Sequence, residues 1–193
     1  MDGQVTQSRT IVLLSGGLDS TAVLAMLSDH RPRLEALFVD YGQPAAPAER
    51  VASRSVASKF GVSWQEVSAL PGPVAAQGEV PGRNLLLLAL ANTWAQSSGG
   101  GALRLALGIH AGTSYADCSP AFVRAAQALL DLGTGGSVRV VAPFLFWSKS
   151  TLAAWAMEKG VPIHLTFSCE RGPKVPCGTC LSCRDRAAVE VVA

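Results

Sequence analysis

The chain has 193 residues, 49% of them hydrophobic and 16% charged, with a formal net charge of +2. That length suits one α/β domain with a sizeable core, or a domain with a small appendage, and the composition excludes a disordered chain. No basic block stands out and no apolar run reaches membrane-spanning length, which argues against a large folded RNA as substrate, against stable nucleic-acid binding and against a membrane anchor.

The first ten residues lack a charged-then-apolar signal pattern, so a cytoplasmic protein with reduced thiols is expected. TIVLLS (10–15) is continuously apolar and reads as a buried parallel strand. DSTAVLAMLSDH (19–30) carries apolar residues at helical spacing. LEALFVD (34–40) is a second strand, and PAERVASRSVASKFG (47–61) a helix with Pro47 in its first turn and Gly61 at its end. SWQEVSA (63–69) is a weaker strand. After a Pro- and Gly-rich loop (71–82), NLLLLALANTWAQSS (84–98) is apolar nearly all round, which predicts a buried helix. SSGGG (97–101) connects it to the strand ALRLALGI (102–109). A polar loop (110–119), the helix PAFVRAAQALLDL (120–132), the strand RVVAPF (139–144) and the helix SKSTLAAWAMEKG (148–160) follow.

This alternation predicts a doubly wound, five-stranded parallel sheet with helices on both faces over residues 1–160. Residues 161–193 change character, becoming Cys- and Gly-rich before a short helix, and read as a small appendage. Ligands of such sheets bind beyond the carboxyl ends of the strands. The loops to watch are therefore 15–20, 40–47, 110–118 and 143–149.

The first of these loops is SGGLDS, Ser15 to Ser20. Strand, Ser-Gly-Gly, then helix is an anion-binding geometry: glycines let the main chain approach a ligand, and the helix start offers unpaired N–H groups. The Walker pattern and the G-x-G-x-x-G fingerprint are both absent. The plainer alternative is a turn with Asp19 capping the helix. Near the carboxyl terminus, Cys169, Cys177, Cys180 and Cys183 form C-x7-C-x2-C-x2-C. Four thiolates make a closed tetrahedral site, so a structural Zn2+ is expected, the alternative being a redox pair within C-x-x-C. Cys118 lies apart in a strand-end loop, either as an inert buried thiol or lining the site. His30, His110 and His164 lack metal-ligand spacing, and no role is expected for His110 although it lies in a site loop.

SGGLDS resembles the pyrophosphate loop of the N-type ATP pyrophosphatases, Rossmann-like proteins of the HUP type that split ATP between its α and β phosphates. Combined with the cysteine spacing, it resembles the 7-cyano-7-deazaguanine synthases, the QueC family. VPGRN (80–84), DYGQ (40–43), YADC (115–118) and LTFSC (165–169) resemble segments of the same family. The resemblance implies ATP-dependent adenylation of 7-carboxy-7-deazaguanine, attack by ammonia to give an amide, and a second activation to give the nitrile on the queuosine route. It implies ATP and Mg2+ as partners of Leu14, Ser15, Gly16, Gly17, Leu18, Asp19, Ser20, Thr21 and Lys149. Asp19 is expected to help hold Mg2+ or shape the turn, and Lys149 to neutralise α-phosphate charge or simply to stand solvated at a helix start. Arg83 is expected to pair with the substrate carboxylate or a helix terminus. Asp117 is expected to read the base, hold metal, or cap the helix beginning near Ser119. Tyr41, Gln43, Asn84 and Tyr115 complete the expected substrate set, with Tyr41, Trp147 and Phe144 where a flat base could stack, core packing being the expected role of Phe144. A homodimer is implied as well.

The chain departs from that pattern in three places. The segment before VPGRN is short, DYGQ runs on into PAAPAE rather than a basic stretch, and GIHAGTSYADC lacks an acidic residue before its tyrosine. These departures leave open a reaction that stops at the amide, or one that joins the acid to another amine such as a protein N-terminus. A catalytically silent nucleotide-binding module and a tRNA sulfur transferase are the remaining alternatives. The second would need a catalytic cysteine pair outside the metal site.

Overall fold

The computed structural model describes residues 8–29, 33–69, 80–99, 101–110, 112–113, 115–172 and 175–190. His30 and most of the expected 71–82 loop lie outside the described residues. Five strands form one parallel sheet: β1 (Arg9–Leu13), β2 (Leu34–Asp40), β3 (Ser63–Ser68), β4 (Leu103–Ala106) and β5 (Val138–Val141), in the order β3-β2-β1-β4-β5. Val12 pairs with Ala36 on one side and Ala106 on the other. The chain winds outward from β1 through β2 to β3, then crosses back to β4. The reversal places a crevice between the carboxyl ends of β1 and β4.

The period-2 alternation of β1 divides the core. Val12 and Leu14 face α1 (Leu18–Ser28), α2 (Ala46–Lys59) and α5 (Lys149–Glu158), while Ile11 and Leu13 face α3 (Arg83–Ser97) and α4 (Pro120–Thr134). All four of these β1 and post-β1 side chains are buried, each contributing about 1.5–3 kcal/mol by the usual transfer scale. The remaining helix is α6 (Leu181–Glu190), which carries Cys183.

Two expectations need correction. The helix α3 is not buried all round: Leu88, Ala91 and Ala95 pack on the sheet, but Leu85 is 43% exposed. The sheet covers only one side of it, so an apolar sequence leaves apolar surface. Trp147 does not line a base site either, and Phe144 packs in the core as expected. Their rings meet edge to face at 4.9 Å, and Trp155 completes the cluster within the core beneath α5. Among the described residues, no helix is long and apolar enough to cross a membrane.

Candidate active site

A cleft of about 250 Å³ opens at the crevice between β1 and β4. Its floor is the turn after β1. Gly16 has φ +82°, and a Cβ there would lie 2.6 Å from the Ser53 nitrogen and 2.9 Å from the Glu49 carbonyl oxygen. Only glycine permits this close packing of the turn on α2. Gly17 is the N-cap of α1 and supplies no side chain, so the first-turn N–H groups have no side-chain cap. Asp19 therefore does not cap the helix. The hydroxyls of Ser15 and Ser20 lie 3.2 Å apart, and Ser20 Oγ donates to the Gly17 carbonyl at 3.1 Å. Gly108, at the end of β4, passes so near that a Cβ would fall 2.5 Å from the Ser20 nitrogen.

Lys149, first residue of α5, reaches back across the cleft, its Nζ donating to Asp19 Oδ1 at 2.5 Å. It is ion-paired rather than solvated. His110 Nε2 lies 3.8 Å from Asp19 Oδ2, and its Nδ1 has no hydrogen-bond partner among the described residues although the ring is only 3% exposed. Burial holds this imidazole below its ordinary value, with Asp19 pulling the other way. Leu14, Ser15, Gly17, Leu18, Asp19, Ser20 and Lys149 all border the cleft. Thr21 is buried one step further into α1, where its N–H donates to the Gly17 carbonyl.

The wall on the β2 side gathers Tyr41, Gln43, Arg83, Asn84, Tyr115 and Asp117. Asp117 Oδ2 accepts the Asn84 N–H at 3.0 Å, and Asn84 Nδ2 donates to the Asp117 carbonyl at 3.0 Å. Asp117 thus satisfies the start of α3, not α4, which Ser119 caps through the Phe122 N–H. Arg83 faces Tyr41 and Asp117 electrostatically. Cys118 is buried and borders the cleft, and burial pushes its thiol up.

Sequence reasoning missed Glu49. It stands in the first turn of α2, borders the cleft, and accepts a hydrogen bond from Gln43 Nε2 at 2.8 Å. Burial pushes its carboxyl above the ordinary value. The only signal available was an acid near a helix start, which is commonplace.

The cysteine-bearing segment forms the last wall, with Phe167, Glu170, Ser182 and Asp185 at the cleft. It is tied to the floor by the Phe167 N–H, which donates to the Gly16 carbonyl at 2.9 Å. Arg186 donates to the Thr166 carbonyl at 2.6 Å and so pins α6 to the same segment. Cys169, Cys177, Cys180 and Cys183 bring their sulfurs within 4.8 Å of one another. Backbone N–H groups of Gly172, Cys177, Cys180 and Cys183 point at three of those sulfurs over 3.1–3.4 Å. Hydrogen bonds from Thr179 and from the Cys180 N–H pull the Cys177 thiol down to about 5. Converging N–H donors favour thiolates, the form that binds metal, at Cys169, Cys177 and Cys180, whereas burial beside the other cysteines pushes the Cys183 thiol up to about 12.

The sequence profile of the family described as "Queuosine biosynthesis protein QueC" matches residues 9–71 and 69–190. The chain belongs to the QueC family. The 7-cyano-7-deazaguanine synthase of Synechococcus sp. (strain RCC307) is 36% identical over 210 aligned positions, covering 94% of this chain and 93% of that one. The synthase of Methanothermobacter thermautotrophicus (strain ATCC 29096 / DSM 1053 / JCM 10044 / NBRC 100330 / Delta H) is 31% identical, with 95% of each chain covered. The QueC-family chain therefore sits within a ligase-type enzyme family over nearly its whole length. Its fold is that of the tRNA thiolase NcsA from Methanococcus maripaludis, solved with its 4Fe–4S cluster (TM-score 0.58, 14% identity, 96% of this chain and 65% of that one). It is also that of a 4-thiouridine synthetase solved with RNA and ATP (TM-score 0.54, 14% identity, 95% and 50%).

Proposed function

We propose that this QueC-family chain adenylates a 7-carboxy-7-deazaguanine-type acid with ATP and passes the activated acyl group to ammonia. The observation that carries the reading is the Ser15–Ser20 turn: an uncapped helix start, two converging hydroxyls and a lysine, all at the crevice of the sheet. A carboxylate oxygen is a poor leaving group. Its attack on the α phosphorus expels pyrophosphate and gives an acyl-AMP anhydride, from which ammonia displaces AMP to leave the amide. A second ATP adenylates the amide oxygen, and loss of AMP with the remaining N–H protons gives the nitrile.

In this reading Leu14 to Thr21 form the ATP loop and its support, with main-chain N–H groups on the departing diphosphate. Lys149 turns from Asp19 to the α-phosphate oxygens, where a point charge stabilises the transition state. Mg2+ keeps most of its shell from phosphate and water and needs one or two carboxylates. Asp19 is the carboxylate on the loop that fits this role, and the ion would neutralise diphosphate charge. Arg83 orients the acid, while Tyr41, Gln43, Asn84, Tyr115 and Asp117 shape its binding wall.

The segment 161–193 is proposed as the structural appendage of a nucleotide-binding domain formed by residues 1–160. The four cysteines suit one Zn2+. Sulfurs about 2.3 Å from a single tetrahedral ion lie close together, whereas a cubane cluster would stand between its ligands and spread them. The ion would hold the appendage against Gly16 and supply no chemistry. Exposed Leu85 on α3 and Leu129 and Leu132 on α4, helices of one sheet face, suit a homodimer.

The test incubates the protein with ATP, Mg2+, ammonia and 7-carboxy-7-deazaguanine, measures AMP, and weighs the product. AMP formed only with the acid present supports the reading. No acid-dependent AMP refutes it. Two AMP per nitrile marks the full reaction, while one AMP with an amide or a conjugate to another amine marks the shortened one.

A further inference from the structure

We propose that Glu49 selects the substrate by accepting hydrogen bonds from two adjacent N–H donors on a guanine-type ring, the ring N–H and the neighbouring exocyclic amino group. The inference rests on the function proposed above and adds to it the group that reads the base.

Position comes first. The Glu49 main chain packs directly on the ATP turn, since a Cβ on Gly16 would stand 2.9 Å from its carbonyl oxygen. The Glu49 N–H is bonded to the Ala45 carbonyl at 2.9 Å. The next residue, Arg50, clamps α2 to the sheet through Asp40 and Glu66. The carboxylate is therefore held at a fixed place relative to the loop.

Its hydrogen bonding is incomplete. Gln43 Nε2 donates to Oε2 at 2.8 Å, and no other hydrogen bond reaches the carboxylate among the described residues. Gln43 itself cannot turn. Its Oε1 accepts the Tyr41 N–H at 2.9 Å and its Nε2 also donates to the Val39 carbonyl at 3.3 Å, so its NH2 side must face Glu49. A carboxylate oxygen accepts two hydrogen bonds, so Oε1 and the second lone pair of Oε2 remain to take a pair of parallel donors. Arg83 draws the Glu49 carboxyl down electrostatically, but no cation hydrogen-bonds it among the described residues. A partly buried acid with one partner has a capacity that the chain itself does not fill.

Charge then fixes which end of the ligand arrives. The acid group of the substrate is repelled by Glu49 and drawn toward Arg83 and Lys149. A 7-carboxy-7-deazaguanine carries its acid on the five-membered ring and its paired N–H donors on the six-membered ring, away from the acid. A ring whose acid pairs with the cations of the cleft while its paired donors face Glu49 meets both requirements. Rings presenting an acceptor on that edge meet a carboxylate and are rejected.

The test is a binding cycle by calorimetry on the full-length protein. Wild type and Glu49→Gln are titrated with 7-carboxy-7-deazaguanine, with the analogue lacking the 2-amino group, and with MgATP. Wild type should bind the analogue about 10- to 100-fold more weakly than the parent, the scale of one hydrogen bond to a charged group. Glu49→Gln should bind both equally within about twofold, at the weak level, with MgATP affinity unchanged. Full discrimination surviving in the variant overturns the inference, as does a MgATP affinity that falls in parallel. The wild-type arm needs no variant to fold, and absence of discrimination there also overturns it. Should wild type bind neither acid and release no AMP with them, the substrate reading falls, and this inference with it.

Discussion

Lys149 Nζ and Asp19 Oδ1 meet at 2.5 Å although 130 positions separate them in sequence. The contact joins the start of α5 to the first turn of α1 across the crevice where the strand order reverses. Its side chains are 30% and 27% exposed, so as an ion pair it adds at most about 1 kcal/mol to stability. Lys149→Met should therefore leave the unfolding midpoint almost unmoved. Acid-dependent AMP formation should fall at least about 100-fold, the usual scale for removing a group that meets transition-state charge. Denaturant titration and an AMP assay on the same preparation check both halves.

The glycines give a sharper structural contrast. Gly16→Ala must adopt φ +82° and drive a methyl group into the Ser53 nitrogen and Ala52 Cβ. A loss of about 1–3 kcal/mol or more is expected, together with loss of ATP binding. Gly133 lies within α4, has no positive φ, and would bring an added Cβ within 4 Å of nothing beyond its own helix and chain neighbours. Gly133→Ala should stabilise by about 0.5–1 kcal/mol and leave ATP binding unchanged. Equilibrium unfolding separates the two outcomes.

What the sequence made legible follows from which interactions are local. The strand 34–40 coincides with β2, and SGGLDS sits at the carboxyl end of a buried strand as expected, because continuous β-branched runs and Gly-Gly breaks act through neighbours in the chain. The cysteine spacing likewise foretold four converging sulfurs. Long-range partners were not legible. Asp117 is a cap, but for a helix 33 residues earlier in the chain. Trp147 faces the core because Phe144 and Trp155 are there to receive it. The placement of Glu49 rests on Gly16 and Gln43, contacts that no periodicity encodes. The apolar pattern of α3 reported hydrophobicity correctly but not which side the sheet would leave uncovered.

Metal content is directly measurable. Purified protein should carry about one zinc per chain, and Cys180→Ser should reduce the yield of folded protein, since structural zinc commonly supplies much of a small segment's folding energy. Chelation should also weaken ATP binding, because the Phe167 N–H that meets the Gly16 carbonyl belongs to the cysteine-bearing segment. Fully folded, metal-free protein with unaltered ATP affinity would contradict this.

The buried acid makes a prediction in pH. Glu49 titrates above its ordinary 4.5 in the folded chain because burial disfavours the charged form. Its contribution to stability is present below pH 4.5 and is lost as pH rises through the folded value, above which burying the charge is a net cost. Glu49→Gln keeps an oxygen for Gln43 and removes that cost. The variant should melt above wild type at pH 7, with the gap closing as pH falls toward 4.5. Thermal unfolding across that range checks the sign, and a variant less stable than wild type at pH 7 would refute it.

The most direct measurement is a crystal structure of the protein with a non-hydrolysable ATP analogue and Mg2+. The β and γ phosphates should lie against the main-chain N–H groups of the Ser15–Ser20 turn, with Lys149 turned from Asp19 onto the α phosphate. Phosphates bound anywhere else in the cleft, or a turn left empty while the nucleotide occupies another site, would contradict it.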